Sequence, residues 1–175
     1  EGNTNVIYGF GTYGDAAKCN PAKALQSSYQ PRNNPDNLPG ISQGPDIDVP
    51  LFKCAPYLSL VTKTTSGSLS LSGDVALGSK SSPMIWYVTG DLTIKGKLSG
   101  YGVFLVKGNV KVIGNATVTI PDENDKSTIG VYSEKDVEVF GNAMLHGQVL
   151  AGGNFIMNGN SKLCGNAVAY GNIVL

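Results

Sequence analysis

The sequence predicts an all-β protein: a three-sided parallel β-helix (β-solenoid) preceded by an irregular, Pro-rich N-terminal arm. Three observations predict it. Gly-Asp or Gly-Asn pairs begin at Gly73, Gly90, Gly108, Gly153 and Gly171, and Lys135-Asp136 occupies the equivalent slot, so the leading positions fall 17, 18, 27, 18 and 18 residues apart. Two and four residues after each leading position stand apolar pairs: Val75 and Leu77, Leu92 and Ile94, Val110 and Val112, Val137 and Val139, Phe155 and Met157, Ile173 and Leu175. The composition agrees, with 23 Gly but only 13 basic and 13 acidic residues, as a rod held by backbone ladders and tight corners requires.

Taken in order, residues 1–60 are expected to be an arm and 61–175 the solenoid, together one structural unit. Seven of the nine Pro lie in the first 56 residues. Asp15 to Gln26 has room for a short helix restarting at Pro21, where Asn20-Pro21 has the form of a cap and first helical residue. From Ser27 to Pro50 frequent Pro forbids helix and disfavours a central strand, so this part is expected to run extended, anchored by Ile41, Ile47, Val49, Leu51 and Phe52. Cys19 and Cys54 bracket the arm, and a bridge between them is expected, because cross-linking a loop of this size removes about 3–4 kcal/mol of unfolded-state entropy. Three unpaired thiols, Cys164 included, are the alternative.

The segment Leu58 to Leu71 reads as strand-like and suited to cover an end or side of the rod. From Gly73 onward a second Gly follows six residues after the leading one (Gly96, Gly114, Gly141, Gly159), and Gly102, Gly147 and Gly165 form a third column. Period-2 alternation broken by a turn every six residues gives three short strands per coil, each stacked in parallel on its predecessor about 4.8 Å away. The long interval between leading positions reads as one coil plus an insertion at 121–128.

Candidate sites are few. Trp86/Val88, Phe104/Val106, Val131/Ser133, Val149/Ala151 and Ala167/Ala169 are the better inward set, yet the opposite parity, Tyr87, Leu105, Tyr132, Leu150 and Val168, is apolar as well. That outer column is expected either to lie under the N-terminal arm or to form an intermolecular interface. Asp74, Asp91 and Asp136 share a corner column with Asn109, Asn154 and Asn172 and read as corner caps. Asp122, Glu123 and Asp125 are the densest acidic group and the only Ca²⁺ candidates, but they lack ligand spacing, so a solvated loop is the favoured reading and no cofactor is expected. Lys95, Lys97, Lys107 and Lys111, with Tyr101 among them, form the one candidate basic patch for nucleic acid, against which the zero net charge argues. His146, the single His, has no ligand-spaced neighbour.

The stretch Pro83-Met-Ile-Trp-Tyr-Val-Thr-Gly-Asp-Leu-Thr-Ile-Lys-Gly96, followed by Gly100-Tyr-Gly-Val-Phe-Leu-Val-Lys-Gly-Asn-Val-Lys-Val-Ile-Gly-Asn115, resembles the C-terminal β-solenoid domain of PilX-like type IV pilus assembly (minor pilin) proteins. The lead-in Gly44-Pro-Asp-Ile-Asp-Val-Pro50 is similar to theirs. Polymerising bactofilin-type solenoids are a more distant resemblance. The resemblance implies an extracellular domain at the bacterial cell surface, acting in pilus assembly, adhesion or DNA capture, with other pilus subunits or a surface ligand as partners and no catalytic residue. It implies membrane contact only through a pilin-type N-terminal helix, and the sequence holds no apolar run long enough for one. The readings set against it are a polysaccharide-binding or polysaccharide-degrading β-helix, and a self-assembling scaffold that stacks end to end.

Overall fold

Alternating apolar residues punctuated by Gly and Asn cannot sustain a helix, and the chain takes up short strands instead. The computed structural model describes residues 51–119 and 129–175, together with three strands nearer the N-terminus. Those three are β1 (Val6–Tyr8), β2 (Gly11–Tyr13) and β3 (Ile41–Gln43). A 3₁₀ segment at Ala55–Leu60 follows, opened by Pro56, in place of the strand expected from Leu58. Then come β4 (Lys63–Thr65), β5 (Leu69–Leu71), β6 (Val75–Ala76), β7 (Met84–Val88), β8 (Leu92–Ile94), β9 (Lys97–Ser99) and β10 (Gly102–Val106). The remainder are β11 (Val110–Val112), β12 (Thr117–Thr119), β13 (Ile129–Ser133), β14 (Val137–Gly141), β15 (Met144–Ala151), β16 (Phe155–Gly159), β17 (Lys162–Ala169) and β18 (Ile173–Val174). The expected helix at Asp15 to Gln26 and the insertion at 121–128 lie outside the described residues.

The protein is all-β, and its named strands pair in parallel. One sheet of six strands runs β18-β16-β14-β11-β8-β5, and a second, of ten strands, runs β4-β7-β10-β13-β15-β12-β9-β6, with β17 beside β15 and β1 beside β17. The second sheet is curled. Strand β15 pairs with β12 through Met144 and Leu145 and with β13 from Gly147 to Ala151, so one continuous strand serves two directions of the sheet. Gly147 sits at that change of direction, where a Cβ would collide with the carbonyl oxygen of Ile129. Gly165, paired with Gly147, takes φ +150° and would collide with Gly147 in the same way. Only glycine fits such a close stacking of backbones.

The registers show how the repeat is used. Val137 lies opposite Phe155, and Phe155 opposite Ile173, so backbone contacts recur at a separation of 18, as in the bond between Asn154 and Asp136. Val110 faces Val137 across the insertion, at a separation of 27, as for Asp136 and Asn109. The first turn of the chain corrects the sequence alignment. Leu69 and Leu71, and not Val75 and Leu77, lie opposite Leu92 and Ile94, while Val75 faces Leu98. Gly67-Ser68 therefore occupies the corner assigned above to Gly73-Asp74, and the Asp91 amide donates to Ser68 Oγ at a separation of 23.

The core is the stack of inward columns. Leu92, Ile94, Val110, Val112, Val137 and Val139 are fully buried, and each contributes about 1.5–3 kcal/mol by leaving water. Phe104 is fully buried against Trp86, their ring centroids 5.4 Å apart and nearly parallel. On the adjoining strand β4, Lys63 and Thr65 stand opposite Trp86 and Val88. Lys63 Nζ lies 3.6 Å from the centre of the Trp86 ring, and Trp86 Nε1 donates to Thr65 Oγ1 at 2.9 Å. The Trp86 and Val88 column thus ends in a polar pair, while Leu69 and Leu71 continue the apolar stack beside it.

Candidate functional site

The turn that leads into the six-stranded sheet recurs in every coil and is stitched from one coil to the next by its Asx side chains. Asp91 Oδ1 accepts the Asn109 amide N–H at 2.7 Å, Asp136 Oδ1 accepts that of Asn154 at 2.6 Å, and Asn154 Oδ1 accepts that of Asn172 at 2.9 Å. A longer bond, 3.4 Å, joins the Asp136 amide to Asn109 Oδ1. A second ladder links Asn115, Asn142 and Asn160 through their side-chain amides. Asp91 and Asp136 are therefore engaged in structure, whereas Asp74 is exposed and outside this ladder.

On the same turns opens a cleft of about 370 Å³. Its walls carry Lys53, Lys107 and Lys135, with the carboxylates of Asp91 and Glu134 and the hydroxyls of Ser68 and Thr89. Glu134 Oε1 accepts the Cys54 amide N–H at 2.7 Å, which ties the segment preceding the 3₁₀ turn to the edge of the cleft. Cys54 is buried and, among the described residues, a free thiol. Burial pushes it up to about 12 and the neighbouring Glu134 carboxylate adds to the rise, against the smaller opposing pull of Lys107 and Lys53. A thiol so held is a packing group and not a nucleophile. Its expected partner, Cys19, lies outside the described residues, as do Asp122, Glu123 and Asp125.

The outer apolar column is largely occupied. Phe52 and Cys54 form a buried cluster with Leu105, against which Tyr87, Tyr132 and Leu150 pack. Phe52 meets Tyr132 edge-on at 5.7 Å and stacks on Tyr57 at 5.9 Å. Burial raises the Tyr132 and Tyr87 phenols above their ordinary value. Of the five residues in that column Val168 stands apart, 42% exposed and outside the cluster.

The four lysines of the predicted basic patch sit in different settings. Lys107 lines the cleft. Lys111, on β11, is ion-paired with Glu138 at 3.1 Å. Lys97 is the first residue of β9, and Lys95 follows β8. Sequence reasoning missed Lys53, Glu134 and Lys135. The available signal was Lys135 itself, a long side chain in a slot that is Gly in the neighbouring coils. Among the described residues no group of three or more His, Cys, Asp or Glu could hold a metal ion, and no helix is long and apolar enough to cross a membrane.

No family model, no curated protein and no solved structure matches the chain.

Proposed function

We propose that the chain is a three-sided parallel β-helix and serves as a non-enzymatic, extracellular module of a type IV pilus-like system, in pilus assembly or adhesion. The carrying observation is the stacking of the residues on which the resemblance rests. Tyr87 and Val88 lie opposite Leu105 and Val106, and Leu92 and Ile94 opposite Val110 and Val112, so the two quoted stretches are consecutive layers of one parallel stack. With three strand positions per repeat and a return to the same register after each, a three-sided coil is the simplest closed path for the chain. The carboxylates that sit beside the cleft also favour binding over turnover. Asp91 and Glu134 each have an oxygen committed to a structural amide, which suits a scaffold better than an acid–base pair.

Its partners in this reading are other pilus subunits or a surface ligand. The test is fractionation of the bacterium that makes it. The chain is expected to co-sediment with pili sheared from the cell surface, and its deletion to lower the number of pili. Confinement to the cytosolic fraction, or turnover of a polysaccharide by the purified chain, would overturn the proposal.

A further inference from the structure

In a repeating fold, the repeat itself states what each slot needs structurally, so a residue that departs from it calls for another explanation. The turn slot that carries Gly90, Gly108, Gly153 and Gly171 is Gly for a steric reason: a Cβ at Gly90 would come within 2.6 Å of Gly67 backbone, and at Gly108 and Gly153 it would collide with the Asx oxygen of the preceding coil. Lys135 alone places a side chain there. Its amide donates to Ser133 Oγ at 2.9 Å, and that buried hydroxyl donates in turn to the Gly108 carbonyl oxygen at 2.7 Å, a rearranged turn made to fit it. Immediately before the slot, Lys107 stands where other coils have Thr89, Glu134, Gly152 and Tyr170. Both departures line the cleft, and Lys53 from outside the repeat joins them.

The hydrogen-bonding inventory of the cleft is unbalanced towards donors. Thr89 Oγ1 already accepts the Gly67 amide at 2.7 Å and Ser68 Oγ the Asp91 amide at 3.1 Å, which leaves each hydroxyl proton to be donated elsewhere. Asp91 Oδ1 already accepts two bonds from Asn109, and Glu134 Oε1 the bond from Cys54. Lys53, Lys107 and Lys135 have no ion-pair partner among the described residues, where the recorded pair is Lys111 with Glu138. Three exposed ammonium groups and two hydroxyl protons thus face a shared space that holds two carboxylates, an excess of one positive charge. The volume, about 370 Å³, is that of a site for a sugar-sized molecule and not for a lone ion.

We infer that this cleft binds the oxyanion group, a carboxylate or a phosphate ester, of a small acidic ligand of monosaccharide size. Lys107 and Lys135 are its principal contacts, and Lys53, carried by the segment that Glu134 holds in place, is the third. Ser68 and Thr89 supply neutral donors to the same group. The inference stands on the cleft and not on the pilus reading: a chain that binds such anions but never fractionates with pili would sink that reading and leave this one.

The test uses the full chain at low ionic strength, titrated with glucuronate, glucose 6-phosphate and glucose while amide shifts are followed by NMR. At least one of the two acids is expected to bind saturably, with the largest shifts at Gly90, Gly108 and Lys135, and the tighter of the two identifies the anion. Glucose is expected not to bind, and raised salt to weaken the acid. Lys107→Gln and Lys135→Gly, the second restoring the residue of the repeat, are each expected to weaken binding about threefold to fivefold, with Lys97→Gln on β9 unchanged. Absence of saturable binding by either acid, equal binding of glucose, or equal weakening by Lys97→Gln would overturn the inference.

Discussion

The Asx ladder makes a prediction that separates an acceptor from a charge. Asp136→Ala removes the oxygen that takes the Asn154 amide N–H at 2.6 Å and, more weakly, its side-chain Nδ2 at 3.2 Å. A half-buried backbone donor left without a partner costs about 1–3 kcal/mol, and the longer side-chain amide contact adds about 0.5 kcal/mol, so the expected loss is about 2 kcal/mol. For a chain of this size a urea slope of about 2 kcal/mol per molar converts that into a midpoint lower by roughly 1 M. Asp136→Asn keeps Oδ1 in place and matches what Asn109 and Asn154 already do in this slot, so it is expected to lose no more than about 0.5 kcal/mol. Asp74→Ala, at an exposed residue outside the ladder, is expected to be equally mild. Equilibrium unfolding of the three variants by urea decides the matter. A loss in Asp136→Asn as large as in Asp136→Ala would show that charge and not acceptance holds the turn, and a large loss in Asp74→Ala would refute the register described for the first coil.

Other perturbations follow from the same geometry. Gly147→Ala drives a Cβ into the Ile129 carbonyl oxygen at the bend of β15 and is expected to cost about 1–3 kcal/mol, read as a lower urea midpoint; an unchanged midpoint would mean the sheet does not curl there. Phe52→Ala uncovers Leu105 and Tyr132 and is expected to cost about 3 kcal/mol, a fall in melting temperature of roughly 6–12 °C, with increased binding of a hydrophobic dye; no gain in dye binding would argue against Phe52 as the cover of that face. Cys54 titrates from 9.0 in the unfolded chain to about 12 in the folded one, so its contribution is complete below pH 9 and declines as pH rises towards 12, where the unfolded thiol ionises first. Cys54→Ala is therefore expected to flatten the alkaline loss of stability, and an identical slope in the variant would exclude the thiol as its source.

Much of this architecture was legible because stacking repeats a chemical demand at a fixed interval. The pairs Leu92 and Ile94, Val110 and Val112, Val137 and Val139, Phe155 and Met157, chosen for their place after Gly-Asx or, once, Lys135-Asp136, are all buried. The first coil was misaligned for an equally physical reason. Gly73-Asp74 carries the expected residues, but the corner needs only a short side-chain oxygen near the next amide, and Ser68 supplies it. A search for Asp or Asn therefore passes over the residue that does the job. Lys53 could not be found by period at all, since it lies outside the repeat and reaches the cleft because Glu134 anchors the neighbouring Cys54 amide. The outer apolar column was visible from its parity, whereas the occupant of that column, Phe52, depends on a long-range contact that no local pattern encodes.

A stacked parallel fold leaves few places where a sequence is free to encode recognition. Inward positions such as Phe104 and Val139 are committed to the core, the Asx positions to their ladder, and Gly147 and Gly165 to close backbone stacking. Outward strand positions are already spoken for wherever Phe52 and its neighbours lie over them. A further variable place is the turn before each Asx, and in this chain that column reads Thr89, Lys107, Glu134, Gly152 and Tyr170. The polar members are adjacent and border the cleft, while Gly152 and Tyr170 lie beyond it. Charges grouped on consecutive repeats of one column, with a lysine in the neighbouring glycine slot, place the chain's chemical individuality at that turn.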